Sequence, residues 1–516
     1  MRPIIQLFGQ ILAPTARRFH QALDNPELMQ TSVQKEICDR LIKSEYGKTL
    51  GIHSVNDWQR VPIVDYDALE PYLNQKQQQI SLTPEPILFY EKTSGSSGAV
   101  KWIPYTQSLR RSFNQMFCVW AYDLIVNGPK FYTGKIYACI SPQLNVADSQ
   151  TLQDDLDYLD GWLRWFLRPW LVMPNKLNRL HDANLFKHQL ALALLEAEKL
   201  EIISIWSPSF LQVHLKYIQE NQDLLRTELH NRISHHRLQH LCESNIPWMQ
   251  LWQNLKLISC WDSANAADQA QGLRSAFSSS ASLSQFPGIL IQGKGLLATE
   301  APMTIPLIVA GGCVPVLDEV FFEFEDETGS LHGLHELNIG KEYTIILSQK
   351  GGLYRYRIGD RIRVTHYYRH TPCLEFLGRH QAVSDLVGEK LQETFVNNAL
   401  TMLNLQETNF KSLMPIAAPP HYILLLDSAT QTPEIIAQQL DLALSESYHY
   451  KRARSLGQLA PPQVLISSQI PEILVSHRIR TGSVWGGIKH PILAKSPIST
   501  ELLQELKLKI AVKTKD

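Results

Sequence analysis

The chain has 516 residues, and its 49 Lys and Arg residues nearly balance its 50 Asp and Glu residues. A chain of this length exceeds the roughly 250–300 residues at which a single hydrophobic core stops growing, so we expect one large domain and at least one smaller domain. The balanced charge gives no electrostatic basis for binding nucleic acid or an anionic membrane, so we expect neither partner.

The seven cysteines are far apart and include no CxxC pair. This pattern predicts reduced thiols in a cytoplasmic protein rather than a disulfide framework or a zinc site. No apolar run approaches the roughly 20 residues that a bilayer-spanning helix needs. Gln6 and Gln10 interrupt the apolar N-terminal stretch, which we therefore interpret as an amphipathic helix and not as a signal peptide.

In chain order, the predicted elements alternate between helices and strands. Helical spacing extends over residues 15–45, a short strand follows at 86–90, and residues 152–240 are mostly helical. Residues 343–348 and 353–357, joined by a Gly-Gly turn, predict a β-hairpin. This alternation predicts an α/β fold. Four short apolar runs between Gly and Pro residues predict further strands at 255–259, 288–292, 306–310 and 320–324.

The sequence changes character near Gly378 and Arg379, where an extended stretch gives way to helix-forming residues at 389–403. We place a boundary there, between a large domain, residues 1–378, and a small domain, residues 379–516. In the small domain we predict a strand at 422–426, a helix at 433–445 and a Gly-containing loop at 481–489.

The strongest local signal is a Gly- and Ser-rich loop directly after the strand at 86–90. It reads TSGSSGAVK from Thr93 to Lys101. Glycines let the backbone approach a polyphosphate, N–H groups and hydroxyls donate to its oxygens, and Lys101 supplies positive charge. The segment is not a Walker A loop, because the GxxxxGK[ST] spacing is absent. Taken alone, it is equally well interpreted as a surface turn.

A second segment, from Gln292 to Glu300, sets the Thr299 hydroxyl beside the Glu300 carboxylate after a predicted strand. A carboxylate next to a phosphate site is a natural Mg²⁺ ligand. The alternative for this segment alone is a solvated loop carboxylate.

A third segment places Asp360 behind the predicted strand at 353–357 and a turn at Gly359. An aspartate in this position can accept hydrogen bonds from both hydroxyls of a ribose, or it can cap the turn. These three segments, followed by Gly378-Arg379 and a late Gly-x-Lys-x-Pro around Lys489, form an ordered series that is much harder to obtain by chance than any one of them.

The order of these segments resembles the motif order of the adenylate-forming superfamily. Their residues are most similar to those of the auxin-responsive (Gretchen Hagen) acyl-acid amido synthetases. The similarity covers nearly the whole chain. The segments that carry it are Tyr46–Lys48, Ser204–Leu211, Tyr354–Asp360, Glu375–Arg379 and Gly388–Leu391.

The resemblance implies a large N-terminal domain with β-sheets and packed helices, and a small mobile α+β C-terminal lid. It also implies adenylation of a carboxylic acid by ATP and Mg²⁺, followed by attack of an amino acid or another amine on the acyl-AMP. Lys489 and Glu300 would be catalytic, with Glu300 also holding the metal. The implied ATP-binding residues are Ser94, Ser96, Ser97, Gly98, Lys101, Thr299, Tyr356, Asp360 and Arg379.

Two positions depart from the superfamily pattern. Leu296 stands four positions before Glu300, where the pattern has an aromatic residue that packs on adenine, and Ala301 replaces the common glycine. The Leu296 departure predicts altered affinity for ATP. Two alternatives stay open on the sequence: a ligase that forms acyl-CoA or aryl-CoA thioesters, and a nucleotide-binding relative without catalysis.

Overall fold

The structure is a computed structural model, and the chain divides into two compact units, formed mainly by residues 1–380 and 381–516. None of the helices in the described ranges is long and apolar enough to cross a bilayer. No disulfide joins any of the six described cysteines. The structure describes residues 2–73, 81–92, 102–138, 163, 165, 167–172, 183–278, 288–379, 383–384, 386–387, 389, 391–403, 405, 408–455, 458–481 and 490–512.

The first unit begins with helices that pack through one apolar face. In the first helix, Phe8, Leu12, Ala16 and Phe19 recur at helical spacing and are buried. The fifth helix begins directly after Thr106, whose hydroxyl caps the helix by accepting a hydrogen bond from the Leu109 N–H at 3.3 Å. The elements are α1 (Arg2–Ala22), α2 (Pro26–Lys43), α3 (Glu45–Thr49), α4 (Tyr66–Leu73), β1 (Ile87–Lys92), β2 (Trp102–Thr106) and α5 (Gln107–Asn127).

A four-stranded parallel sheet follows, with its strands in chain order. Its central strands are almost continuously apolar and buried, as expected for parallel strands covered on both faces. The strands are β3 (Lys135–Ala138), β4 (Leu200–Ser204), β5 (Leu257–Cys260) and β6 (Leu290–Gly293). The helices among them are α6 (Ala183–Glu196), α7 (Pro208–Glu220), α8 (Gln222–Leu229), α9 (His235–His240), α10 (Trp248–Leu251) and α11 (Ala267–Ala276).

The rest of the first unit is antiparallel. Two short hairpins precede a five-stranded sheet of order β12-β11-β13-β14-β15. The hairpins are β7 (Leu297–Ala298) with β8 (Ala301–Pro302), and β9 (Thr304–Leu307) with β10 (Gly312–Pro315). The sheet contains β11 (Val320–Glu325), β12 (Leu331–Gly333), β13 (Glu342–Gln349), β14 (Tyr356–Tyr368) and β15 (Thr371–Arg379).

The second unit is α+β. Its three-stranded sheet has the order β18-β19-β20, with β20 parallel to β19. Buried Leu424 and Ile423 alternate between two separate apolar clusters, as expected for a sheet that packs helices on both faces. The elements are β16 (Val383–Ser384), β17 (Leu391–Gln392), α12 (Glu393–Met402), β18 (Lys411–Ile416), β19 (His421–Leu426), α13 (Pro433–Leu444), α14 (Tyr448–Ser455), β20 (Gln463–Ile466), α15 (Ile470–Arg480) and α16 (Thr500–Val512).

Most of the predicted elements are confirmed to within a few residues. The region predicted as mostly helical, 152–240, is mostly helical from Ala183 apart from the strand β4, and most of its residues before 183 lie outside the described ranges. Three elements are displaced. The predicted strand at 306–310 is shifted toward Thr304, and the helix predicted from residue 389 begins at Glu393. The hairpin at 343–357 is confirmed, but its second strand begins at Tyr356 rather than at Leu353. The loop predicted at 481–489 lies outside the described residues apart from Thr481.

Candidate functional site

Glu300 and Thr299 form the turn of the β7/β8 hairpin, between the paired residues Ala298 and Ala301. The Glu300 side chain is buried, with the residue only 4% exposed. The Tyr105 hydroxyl donates to the Thr299 carbonyl oxygen at 2.9 Å. The buried tyrosine thus fixes the backbone of the turn that carries Glu300.

Tyr105 also connects this turn with the predicted phosphate loop. It lies on β2, which begins directly after Lys101 and pairs with β1 on the other side of the loop. Lys92 and Trp102 are partners across this pair of strands, so both ends of the connection are held together. The loop residues with predicted roles, Ser94, Ser96, Ser97, Gly98 and Lys101, lie outside the described residues.

The structure corrects the prediction for the setting of Asp360. Asp360 does not follow a strand and a turn, because it lies within β14, where it is buried. Gly359 before it has a φ of +83°, which side chains rarely adopt, and the pairing of β13 with β14 is irregular between Thr344 and Ile346. Such an irregularity re-aims the side chains of a strand. Asp360 is therefore placed by a deformation inside the strand.

The backbone of Arg379 lies opposite that of Asp360 across the β14/β15 ladder. The structure thus brings these two predicted residues together, although the Arg379 side chain is outside the described part. Gly378 precedes Arg379 with a φ of +123°, and the ladder is again irregular between Arg361 and Ile362. Both members of the pair follow a glycine that bends its strand.

Tyr356 and the residues on either side of the Glu300 turn contribute to one hydrophobic core. Tyr356, Tyr105, Leu296 and Ala301 all belong to it and are buried. Leu296 is 5% exposed, and its backbone N–H donates to the Thr304 hydroxyl at 2.7 Å. The Leu296 side chain therefore packs in the core, and little of its surface is exposed for stacking on a base.

A polar group that has no role among the predicted site residues lies at the carboxyl ends of the parallel strands. The Lys294 ammonium donates to the Ser204 hydroxyl at 2.8 Å and lies 4.9 Å from the centre of the Trp206 ring. The Trp206 and Trp261 rings have centroids 5.9 Å apart. Carboxyl ends of parallel strands are where open α/β sheets bind ligands. Ser204, Trp206 and Lys294 lie in the segments 204–211 and 292–300, which carry the family resemblance or a predicted site, whereas Trp261 lies in neither. A single sequence gives no sign that these residues meet.

Asp262 follows β5 at the same edge of the sheet. Burial raises the pKa of its carboxyl group, an effect that the nearby Arg274 opposes. A side chain at Gly293 would place its Cβ 2.2 Å from the Asp262 Oδ1 atom, so the close approach of these two loops requires glycine.

The residues that the structure describes contain no group of three or more His, Cys, Asp or Glu side chains suited to holding a metal ion. Mg²⁺ is commonly held by one or two carboxylates together with substrate phosphates and water. The single buried carboxylate of Glu300 fits that kind of site. Lys489 lies outside the described residues.

The fold is that of solved adenylate-forming enzymes, as the resemblance in sequence predicted. An acyl acid amido synthetase, AtGH3.15 in complex with 2,4-DB, matches it with a TM-score of 0.79 at 18% identity, covering 96% of each chain. A 2-hydroxyisobutyryl-CoA ligase in its postadenylation state matches with a TM-score of 0.51 at 10% identity, over 96% of this chain and 91% of the ligase.

The chain belongs to the GH3 family. Its N-terminal, central and C-terminal domain models match residues 15–281, 313–379 and 389–498, in that order. An indole-3-acetic acid-amido synthetase from Arabidopsis thaliana, GH3.3, is 22% identical over 512 residues, 84% of each chain. A jasmonoyl–L-amino acid synthetase from Oryza sativa subsp. japonica is 27% identical over 211 residues, 37% of this chain and 36% of that relative.

Proposed function

We propose that this protein is an acyl-acid amido synthetase, a ligase that uses ATP to join a carboxylic acid to an amino acid or another amine. The observation that carries this proposal is the match of all three GH3 domain models, in order, along the chain. The related synthetases from Arabidopsis and rice are named for conjugating indole-3-acetic acid or jasmonate to amino acids. The acid and the amine of this enzyme are small molecules of the same general chemistry.

The chemistry requires two half-reactions. A carboxylate is a poor electrophile at neutral pH, so its oxygen first attacks the α-phosphorus of ATP, and pyrophosphate leaves. The amine then attacks the carbonyl carbon of the acyl-AMP, loses a proton and displaces AMP, which forms the amide. Negative charge that develops on the phosphate during the first step has to be stabilised by cations in a site that excludes water.

The predicted site residues divide these tasks. Ser94, Ser96, Ser97, Gly98 and Lys101 would hold the phosphates. The anchored turn supports the assignment of Thr299 and Glu300, because the Tyr105 hydrogen bond fixes it beside the strand that follows the phosphate loop. The remaining nucleotide residues would be Tyr356, Asp360 and Arg379.

Glu300 would hold Mg²⁺, which would neutralise phosphate charge when bound. Lys489 would bring a cation to the α-phosphate and the acid carboxylate. It belongs to the small C-terminal domain, residues 379–516, which we propose is mobile and supplies different residues to the two half-reactions. We also propose a cytoplasmic location, supported by the scattered cysteines, which form no disulfide in the described part.

Pyrophosphate exchange into ATP tests the first half-reaction. We expect exchange that depends on adding the correct acid from a broad panel, and release of AMP when an amine follows. Thioester formation with coenzyme A, but no amide with any amine, would favour the acyl-CoA ligase. Nucleotide binding with no exchange for any acid would favour the non-catalytic relative.

A lysine comparison tests the catalytic assignment. Lys489→Ala should slow adenylation at least about a hundredfold, the scale for removing one group that stabilises transition-state charge, while ATP binding is largely retained. Lys495→Ala is the matched control, because Lys495 is an exposed lysine close by in the chain, and it should react at the wild-type rate. Equal rates for the two variants would contradict the role of Lys489.

A further inference from the structure

Arg355 has an unusual backbone conformation immediately before Tyr356 and five positions before Asp360, two predicted nucleotide residues. Its φ is +47°, in the left-handed region that non-glycine residues rarely occupy. The residue is 4% exposed, so this charged side chain is also buried. Strained conformations of this kind persist only where the surrounding structure enforces them, and they concentrate at functional sites.

The enforcing contacts are a buried ion pair and two backbone anchors. The Arg355 Nε and Nη2 atoms donate to the two carboxylate oxygens of Glu323 at 2.9 and 2.8 Å. The Nη1 atom donates to the Val61 carbonyl oxygen at 2.9 Å. The backbone N–H of Arg355 donates to the Ser348 hydroxyl at 2.8 Å. A planar guanidinium with paired contacts of this kind has one orientation, which lysine cannot reproduce.

These contacts hold the start of β14 against a distant segment. The Val64 N–H donates to the Arg355 carbonyl oxygen at 3.2 Å, and the Arg357 N–H donates to the Val64 carbonyl oxygen at 2.8 Å. Val64 and Tyr356 thereby form a parallel bridge. The position of Tyr356 is thus set by the residues on either side of it.

We propose that Arg355, clamped by Glu323, is a positioning residue that presets the Tyr356–Asp360 segment for the nucleotide. The inference rests on the proposed function, because the nucleotide roles of Tyr356 and Asp360 belong to it. Arg355 does not itself touch ATP in this proposal. It acts by holding β14 in the geometry that binds the ribose and base before ATP arrives, so that less ordering is needed on binding.

The same pair of strands contains a matched control. Arg357 and Glu325 have the same separation in sequence as Arg355 and Glu323, and their 2.7 Å ion pair also spans β13. However, the Arg357 side chain is 43% exposed, and its Nη2 atom donates to a single Glu325 oxygen. Loss of this exposed pair should change little.

The experiment compares Arg355→Lys, Glu323→Gln and Arg357→Lys in the full-length protein. For each variant we would measure the Kd for ATP alone by calorimetry, the KM for ATP, the KM for the acid and kcat. We expect Arg355→Lys and Glu323→Gln to weaken ATP binding roughly tenfold to a hundredfold, the scale expected when a binding group is misplaced by about 1 Å. Their KM for the acid should stay within about twofold, and Arg357→Lys should match the wild type on every measure.

Each outcome supports or overturns the proposal. A purely structural role would lower the melting temperature of Arg355→Lys while ATP affinity, measured well below that temperature, stays within twofold, and this result would overturn it. If Arg355→Lys fails to fold, Glu323→Gln, which keeps the side-chain shape, decides by the same criterion. A wild-type protein that binds no ATP would overturn the proposed function together with this inference. Equal ATP affinity in folded wild type and variants would overturn this inference alone.

Discussion

The parallel sheet β3–β6 and the antiparallel sheet β11–β15 place their polar groups in different ways. At the carboxyl edge of the parallel sheet, Asp262 and Lys294 lie beyond the ends of strands, where the loops of neighbouring strands converge. In the antiparallel sheet, Tyr356 and Asp360 belong to a strand itself. Asp360 is placed there by Gly359 at φ +83°, next to an irregular ladder.

The comparison shows what each architecture needs in order to build a site. A parallel sheet gathers strand ends at one edge without any distortion, so its loops can carry the chemistry. An antiparallel strand alternates its side chains between two faces, and a fixed side-chain geometry within it requires a local bend. We therefore expect changes within the strands of the parallel sheet to act mainly on stability, and changes within β14 to act mainly on nucleotide binding.

The largest expected effect concerns a buried carboxylate at the opposite edge of the parallel sheet. Glu201, with no exposed surface, accepts the backbone N–H groups of Tyr132, Thr133 and Gly134 at 2.7, 2.8 and 2.7 Å. It also pairs with Lys256 at 2.7 Å. Removing one partner of a buried, hydrogen-bonded ion pair costs about 3–5 kcal/mol. Glu201→Gln should lower stability by that amount, measured by urea unfolding.

Glu325→Gln is the control for this prediction, because it removes the partner of a partly exposed ion pair with Arg357. We expect it to cost at most about 1 kcal/mol. Similar unfolding midpoints for the two variants would show that Glu201 does not hold the parallel sheet as its contacts indicate.

The second effect is a pH dependence of stability, caused by a residue just before the antiparallel sheet. Asp318 precedes β11, and burial and the Glu319 carboxylate raise its pKa to about 7, with Lys350 and Gln115 opposing the shift. Its Oδ1 atom is buried and has no hydrogen-bond partner within the described residues. Because the folded state binds this proton more tightly, the contribution to stability is present below pH 4 and is lost as pH rises through about 7.

The Asp318→Asn variant should therefore become increasingly more stable than the wild type as pH rises. A shift of one pKa unit corresponds to about 1.4 kcal/mol. Since the residue is only partly buried, we expect the free energy of unfolding to be roughly 2 kcal/mol higher than that of the wild type at pH 8. At pH 4 the two proteins should differ little. Urea unfolding at several pH values measures this. A difference that is constant with pH would mean that Asp318 titrates normally.

Asp326→Asn provides a control of opposite sign. Hydrogen bonds from the Thr328 hydroxyl and His332 lower the pKa of this exposed carboxyl group. Its contribution to stability is therefore present above its unfolded pKa and is lost as pH falls. The variant should be less stable than the wild type at neutral pH, and the two should converge in acid.

Sequence patterns were sufficient for elements whose cause is local. The helix α13 begins with Pro433 at its first turn and buries Ile436, Leu440 and Leu444 at helical spacing, so composition and period predicted it closely. The strand β19 is a continuous apolar run, and it was predicted to within one residue. In both cases the residues that specify the element are the residues that form it.

The site was only partly predictable, because its supports come from distant parts of the chain. The ordered motifs led to Glu300 and Asp360, but the hydrogen bond from Tyr105 to Thr299 joins residues 194 positions apart. Arg355 has a left-handed φ that local sequence would assign to glycine, and the contacts that hold it come from Glu323, Val61 and Ser348. Tertiary contacts of this kind leave no periodic signal in a single sequence.

The smallest change in stability tests the role of the bend in β14. Gly359→Ala places a side chain at φ +83°, where no atom lies within 4 Å of the new Cβ, so its cost is conformational and not steric. Gly329→Ala is a close match, with φ +84° and equally open space, in a turn between β11 and β12. Each should lose about 1–2 kcal/mol, the cost of the left-handed conformation for a residue with a Cβ.

The two glycine variants should differ in nucleotide binding even though their stabilities agree. Relaxation of the strained alanine at position 359 toward negative φ would rotate the backbone next to Asp360, so we expect ATP affinity to fall roughly tenfold or more. Relaxation at Gly329 changes only a turn and should leave ATP affinity unaltered. Calorimetric titration of both variants with ATP measures the difference. Equal ATP affinities of the two variants would contradict the difference inferred between the two sheets, because the bend in β14 would then serve folding alone and not the placement of Asp360.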